Sequence, residues 1–257
     1  MPVLCPYPVR VSIQSDNRPL TIAGREIDAV LFDAGGIFVI PDPHVIAPLL
    51  GYYGASTDLR DYRRAHYAGM AAKSRMGSDE RDWSAYNAAY VRSVGVPEHD
   101  QLEAADVLNV TRNAWIWRYA LDDSVSALRG LHERGVPIGV VSNASGQIEQ
   151  VLARSRVCQV GEGHGVPVRI VIDSHIVGVA KPDPRIFDFG LAVLSGIERH
   201  RIAYVGDSVT MDVMGALAAG LFPVLLDPHD DHEGAEYYEV GGRRADFHRV
   251  RSLLELL

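Results

Sequence analysis

From residue 121 onward short apolar runs alternate with amphipathic stretches, and this alternation limits the fold more than any other feature of the chain. Ile138-Gly139-Val140-Val141, Arg169 to Ile172, Ile202 to Val205 and Phe222 to Leu226 read as strands. Helices are expected between them. One is opened by Asp122-Asp123-Ser124, carries Val125, Leu128 and Leu131, and is stopped by Gly135 and Pro137. Others run from Ser145 to Arg154, from Pro184 to near Gly196, and through Val213 and Leu217. Strands separated by helices pair in parallel through right-handed crossovers, which predicts an α/β fold with a doubly wound parallel Rossmann-like sheet. Ligands of such sheets bind beyond the carboxyl ends of the strands, so polar residues that end strands are the candidates for chemistry.

The first strand of this series lies upstream. Ala29-Val30-Leu31-Phe32 is an apolar run that stops at Asp33 and is followed by Gly35-Gly36, a pattern that suits a buried strand delivering a carboxylate to a turn where backbone amides approach an anion. From His44 to Ala120 the period is helical instead. Leu59, Tyr62, His66 and Met70 recur at three- and four-residue spacing, as do Trp83, Tyr86, Tyr90 and Val94. A further helical stretch is expected through Leu102, Ala105 and Leu108 to Trp115-Ile116-Trp117, without intervening strands, and the aromatic stripe reads as bundle core. The division predicted is a core of residues 1–42 and 121–257 with a helical cap, 43–120, inserted after the first strand. Before that strand, Val9, Val11 and Ile13 followed by Asp16-Asn17-Arg18-Pro19 suggest a short hairpin or edge addition.

Composition removes several classes of function. With 257 residues and 47% hydrophobic content the chain can build a large core and a subsidiary domain. A formal charge of -8 would repel a nucleic-acid backbone over most of the surface, while small anions could still bind at a local positive site. Cys5 and Cys158 are too few for a disulfide framework, and no apolar stretch approaches membrane-spanning length, so a cytoplasmic protein with no membrane partner is expected, as monomer or homodimer.

Four expected strand exits carry matching chemistry: Asp33; Ser142-Asn143; Lys181 in Gly178-Val179-Ala180-Lys181-Pro182-Asp183-Pro184; and Asp207 with Asp212. In this order and spacing the chain resembles the haloacid dehalogenase-like (HAD) superfamily over about residues 28–226, in the group whose helical cap lies between the first and second motifs. The specific motifs are Lys181-Pro182-Asp183-Pro184-Arg185-Ile186-Phe187 and the run from Asp207 through Gly215-Ala216 to Ala219-Gly220. The resemblance implies a small phosphorylated metabolite as substrate. Asp33 would attack phosphorus to form an aspartyl-phosphate, splitting one transfer into two steps. Mg²⁺ would be held by Asp33, the Gly35 carbonyl and Asp207, with Asp212 supporting its waters or Lys181. Ser142, Asn143 and Lys181 would bind phosphoryl oxygens, with Gly36 at the turn beside them.

One departure bears on rate. The family's phosphatases commonly carry a second Asp where this chain has Gly35, and positioned acid-base catalysis is worth roughly 10² to 10⁴. Ile37 replaces a frequent threonine, for which packing is a sufficient reason. Three alternatives keep part of the site: a 2-haloacid dehalogenase, a phosphonate hydrolase with Lys73 as its cap lysine, and a non-catalytic phospho-ligand binder. The acids Asp207 and Asp212 favour phosphate over a haloacid. Arg63, Arg64, His66, Lys73 and Arg75 are the cap residues that could touch a leaving group, although such a row is ordinarily a solvated face. Gly161-Glu162-Gly163-His164-Gly165 reads as a surface connection, and His229-Asp230-Asp231-His232 as a solvated loop rather than a metal cluster.

Overall fold

The computed structural model describes residues 20–77, 81–232, 237–240 and 243–257; the hairpin expected around Val9 to Pro19 lies outside them. β1 (Leu20–Ile22) and β2 (Arg25–Ile27) pair antiparallel ahead of β3 (Ala29–Phe32), which is buried at every residue. β4 (Val39–Pro41) leads into α1 (Pro43–Gly51), α2 (Leu59–Arg75), α3 (Ser84–Ser93) and α4 (Gln101–Thr111), and β5 (Trp117–Ala120) returns antiparallel to β4. Next come α5 (Asp122–Glu133), β6 (Ile138–Ser142), α6 (Ile148–Arg154), β7 (Cys158–Val160), β8 (Val166–Val168) and β9 (Val171–Asp173). The remainder is α7 (Ser174–Val177), α8 (Arg185–Ala192), β10 (Ile202–Gly206), α9 (Met214–Ala219), β11 (Phe222–Leu226), the pair β12 (Tyr237–Val240) and β13 (Arg243–Asp246), and β14 (His248–Val250).

Six of these strands form one sheet in the order β14-β11-β10-β3-β6-β9, every neighbour parallel, so the doubly wound α/β expectation holds. Alternate residues divide its two faces. Val30, Phe32, Val140 and Val205 pack with Leu128, Leu131 and Leu152 on one side. Leu31, Val141 and Tyr204 pack with Ile186, Phe187 and Ala216 on the other. Each such aliphatic side chain contributes about 1.5–3 kcal/mol by leaving water, which is what holds β3 and β10 at the centre. A separate apolar cluster built on Tyr62, Tyr86, Tyr90, Leu50 and Leu108 joins α1 to α4, so the aromatic stripe is the core of this helical segment.

Four expectations are corrected. Trp117 begins a strand, not the end of a helix, because the backbone from Trp117 to Ala120 is paired with β4 and the Leu121 N–H donates to the Phe38 carbonyl. The chain thus leaves and re-enters the sheet region through two adjacent strands. The helix expected from Ser145 starts only at Ile148, since the N–H groups of Ser145 and Gly146 are taken by the side chains of Gln147 and Asp173. The strand expected at Arg169 to Ile172 starts at Val171 and ends on Asp173. Lys181 therefore stands at no strand exit; it lies in the loop between α7 and α8. Asp173, which does end a strand, spends its carboxylate on the N–H groups of Gly146, Ile148 and His175. The glycine-rich run at 161–165 connects β7 to β8, with residues 161–164 exposed as expected. Among the described residues no helix is long and apolar enough to cross a membrane.

Candidate functional site

Adjacent parallel strands end at the same edge, so β3, β6 and β10 bring Asp33, Ser142 and Asp207 together. The Asp33 carboxylate Oδ1 lies 3.0 Å from Lys181 Nζ but has no in-line hydrogen-bond donor. The Ser142 hydroxyl hydrogen-bonds this carboxyl group. Burial, reinforced by the charges of Asp212 and Asp207 against the pull of Lys181, pushes the Asp33 pKa up to about 7. Asp33 is thus a carboxylate short of positive charge.

Lys181 is 2% exposed, and its ammonium meets three oxygens: Asp33 Oδ1, Asp212 Oδ1 at 2.7 Å and the Tyr204 hydroxyl at 2.8 Å. Burial alone disfavours an ammonium, but Asp212 and Asp33 outweigh it and raise the pKa. The lysine reaches this place although it is not on a strand, because Asn143 clamps its backbone. Asn143 Oδ1 accepts from the Lys181 N–H at 2.7 Å and Nδ2 donates to the Lys181 carbonyl at 3.0 Å. Asn143 lines the cavity, yet its amide is committed to holding Lys181 rather than free for phosphoryl oxygens.

Asp212 sits in a single π-helical turn, Val209–Val213, and folds back on the end of β10. Its Oδ2 accepts from the N–H groups of Asp207 and Ser208 at 3.1 and 3.0 Å. A Cβ on Gly206 would lie 2.2 Å from the Asp212 carboxyl carbon, so the glycine makes room for this return. Asp212 consequently supports Lys181 and the turn, with both oxygens occupied by protein donors. Tyr204, which sequence reasoning missed, bonds Lys181, Asp212 and the Val141 carbonyl. Its core-like strand setting hid that role.

Asp207 is buried, and Oδ2 lies 3.0 Å from His66 Nε2, whose Nδ1 meets the Tyr86 hydroxyl at 3.0 Å. Burial raises the Asp207 pKa despite the histidine. Gly36 is kept small by this carboxylate: its φ is +69°, and a Cβ would stand 1.8 Å from Asp207 Oδ2. The Gly36 amide donates to the Val39 carbonyl and its own carbonyl accepts from Tyr67, so the expected role in contacting substrate through the backbone is corrected to one of close packing.

The oxygens of Asp33, Asp207 and Asp212 can lie within 4.8 Å of one another, the only such group among the described residues. Against these three carboxylates stands one ammonium, a deficit matching a divalent cation, and the hard oxygen donors suit Mg²⁺. The residues therefore fit the metal, with Asp33 and Asp207 as the available carboxylates and Gly35 beside them on the cavity wall.

Gly35 has a neighbour that no periodicity reveals. A Cβ at this position would meet the Trp117 ring at 3.2 Å, so the indole stands in the space beside the residue where an acid is missing. A cavity of about 640 Å³ opens there, lined by Asp33, Lys181 and Asp207 from the sheet side and by Trp83, Arg112 and Trp117 from the helical segment.

The basic row of α2 is not a solvated face. Arg63 pairs with Asp123 and Arg64 makes two 2.7 Å bonds to Asp231. His66 and Lys73 are fully buried, and Lys73 does not line the cavity but stacks on Trp83 and donates to the Asp82 carbonyl. Arg75 donates to the Asp231 carbonyl. The loop at His229 to His232 is likewise not solvated throughout: Asp227 accepts from the N–H groups of Asp231 and His232, and His232 is buried.

The family model for haloacid dehalogenase-like hydrolases matches residues 27–220. The chain belongs to this family. Two curated relatives bear on the hydrolase. It is 32% identical over 136 residues to a mouse haloacid dehalogenase-like hydrolase domain-containing protein 3, covering 52% of this chain and 51% of the relative. It is 31% identical over 134 residues to a phosphoserine phosphatase from Thermus thermophilus, covering 51% of each. The hydrolase thus spans about half the length of these curated relatives. Among solved structures, a HAD-hydrolase from Bacillus subtilis bound to magnesium superimposes with a TM-score of 0.54 at 16% identity, covering 90% of this chain and 97% of that one. A dehalogenase does so with a TM-score of 0.51 at 19% identity, covering 90% and 95%. Both share the fold, which therefore does not choose between phosphate and haloacid.

Proposed function

We propose that the hydrolase is a Mg²⁺-dependent phosphatase of a small phosphorylated metabolite, with the helical segment acting as a cap over the site. The observation that carries this reading is the charge imbalance of Asp33, Asp207 and Asp212 against Lys181 alone. Asp212 serves Lys181 in either chemistry, but a haloacid site needs one nucleophilic carboxylate and has no use for the buried Asp207 beside it, whereas a phosphate site needs a cation that Asp33 and Asp207 together can hold.

Asp33 and Asp207 would hold the metal, whose chemistry is to neutralise charge between carboxylate and phosphate. Asp33 attacks phosphorus and carries the phosphoryl group until water displaces it. Lys181, fixed by Asp212, Tyr204 and Asn143, presents its ammonium to the developing negative charge with no reorganisation during the reaction. Ser142 donates from the next strand. No acid stands at Gly35, so the leaving group takes its proton from water or from the substrate itself, and esters of acidic alcohols are turned over fastest.

The phosphonate reading loses its lysine, because Lys73 is buried against Trp83 rather than in the cavity. The deciding experiment is a panel of phosphate esters assayed with Mg²⁺ and with chelator. Turnover dependent on Mg²⁺ and reduced to background in Asp33→Asn supports the reading. Chloride release from a 2-haloacid in chelator, or equal turnover by the Asp33→Asn protein, overturns it.

A further inference from the structure

Arg112 ends α4 and reaches the cavity wall. Its guanidinium lies 4.3 Å from the Trp83 ring centroid and 5.3 Å from that of Tyr86, and one N–H₂ group donates to Asn87 Oδ1. What it lacks is an acid. Among the described residues no carboxylate comes within ion-pair distance of it, whereas Arg63, Arg64, Arg118, Arg185, Arg199 and Arg201 each have one. Burial lowers its pKa, as expected for a cation taken from water without a counter-charge. A part-buried guanidinium held by aromatic faces and one amide oxygen, with the rest of its fork unused, is arranged to receive a carboxylate or a phosphate.

The surroundings say what kind of ligand this is. Trp83 is not an open stacking platform, because Lys73 Nζ at 4.2 Å and Arg112 both already stand within cation–π reach of its ring. An aromatic leaving group stacking on Trp83 would therefore compete with two cations already beside the ring. The cavity also holds far more than a phosphoryl group, in the range typical of sites for whole metabolites. Asp33 and Lys181 lie on the sheet side, while Arg112 belongs to the helical segment.

We infer that Arg112 forms a second anion subsite, so that the substrate is a phosphate monoester whose leaving group carries another anionic group, a carboxylate or a second phosphate. This rests on the phosphatase reading for the reacting end, but the subsite itself binds without chemistry. A cation reserved for the leaving group also suits the absence of an acid at Gly35. It orients the scissile bond through binding at a distance, where no proton donor is available to do so.

The test uses the whole chain with Mg²⁺ and two pairs of esters matched in skeleton: 3-phosphoglycerate against glycerol 3-phosphate, and fructose 1,6-bisphosphate against fructose 6-phosphate. In at least one pair the doubly anionic member is expected to have a kcat/KM higher by about tenfold or more, carried mainly in KM. Arg112→Gln should reduce kcat/KM for that member by about tenfold more than for its partner, and Arg112→Lys should retain part of the preference. The first pair reports a carboxylate and the second a phosphate. Absence of preference in both pairs, or an equal loss for both members in Arg112→Gln, overturns the subsite. Calorimetric binding of the same four esters to Asp33→Asn, with and without Arg112→Gln, separates the two ideas. Tighter, Arg112-dependent binding of the doubly anionic esters with no turnover by the native protein keeps the subsite and removes the phosphatase. Turnover without anion preference does the reverse, and no binding at all removes both.

Discussion

The residue that sets the rate in the proposed reaction is one without a side chain. The family resemblance leads one to expect an acid at position 35, and here a Cβ at Gly35 would stand 3.2 Å from the Trp117 ring. The two positions are therefore coupled: a side chain at 35 requires the indole to move. We expect Gly35→Asp alone to give little gain in hydrolysis of a poor leaving group, because the new Cβ meets the indole at 3.2 Å and the ring must give by a few tenths of an ångström to admit it. In the double variant Gly35→Asp/Trp117→Ala the acid has space, and kcat for the same ester should rise by at least about tenfold, part of the 10² to 10⁴ available to a positioned acid. Steady-state assays of both variants on an alkyl phosphate check this, and equal rates in the two would refute the coupling. The same logic of shared space explains Gly206 and Gly36, which are small because Asp212 and Asp207 return over them.

At the scale of elements, α2 ties the site to its surroundings. His66 reaches Asp207, Tyr67 donates to the Gly36 carbonyl at 2.7 Å, Ser74 accepts from the Val209 N–H, and Arg64 grips Asp231 beyond β11. These contacts tie the helical segment to the exits of β3, β10 and β11. The pair between Arg64 and Asp231 is part-buried, with the guanidinium more exposed than the carboxylate. A double-mutant cycle on Arg64→Ala and Asp231→Ala should show a coupling of about 0.5–1.5 kcal/mol, the range for a bidentate pair near the surface. If the segment acts as a cap, each single variant should raise KM more than it lowers kcat. Additive effects on stability and an unchanged KM would count against that role.

For the molecule as a whole, the buried acids make stability depend on pH and metal. The folded pKa of Asp33 is about 7, above its ordinary value, so its protonated form is the one folding favours. The stability it contributes is complete below about pH 4 and is lost as pH rises through about 7. In metal-free protein Asp33→Asn should therefore raise the unfolding free energy at pH 8, by at least about 1 kcal/mol, and have little effect at pH 4 to 5. Added Mg²⁺ should reverse the order at pH 8, because a ligand that binds only the folded state stabilises it and the native carboxylate is what binds. Thermal unfolding of both proteins at the two pH values, with Mg²⁺ and with chelator, measures all four terms. An Asp33→Asn protein less stable than the native one at pH 8 without metal, or a difference between the two that does not grow from pH 5 to pH 8, would contradict the assignment.

Much of this architecture was legible before any coordinates, and for a physical reason. Period is a property of a segment: the apolar runs at β3, β6, β10 and β11 and the 3.6-residue spacing in α2 and α3 are written into neighbouring residues, and the handedness of crossovers then dictates a parallel sheet with Asp33, Ser142 and Asp207 at one edge. Lys181 was legible as a site residue but not as a loop residue, since Ile176, Val177, Val179 and Ala180, two on either side of Gly178, suit a strand as well as a short helix. The sequence by itself thus determined the sheet, the order of the exits and the acids that would meet. Only the tertiary structure decided that Asn143 serves Lys181 rather than a ligand, that Trp117 stands beside Gly35, that His66 and Lys73 are buried, and that Arg112 faces the cavity without an acid. Each of these depends on which side chains from distant segments compete for one space or one charge, and no local pattern carries that information.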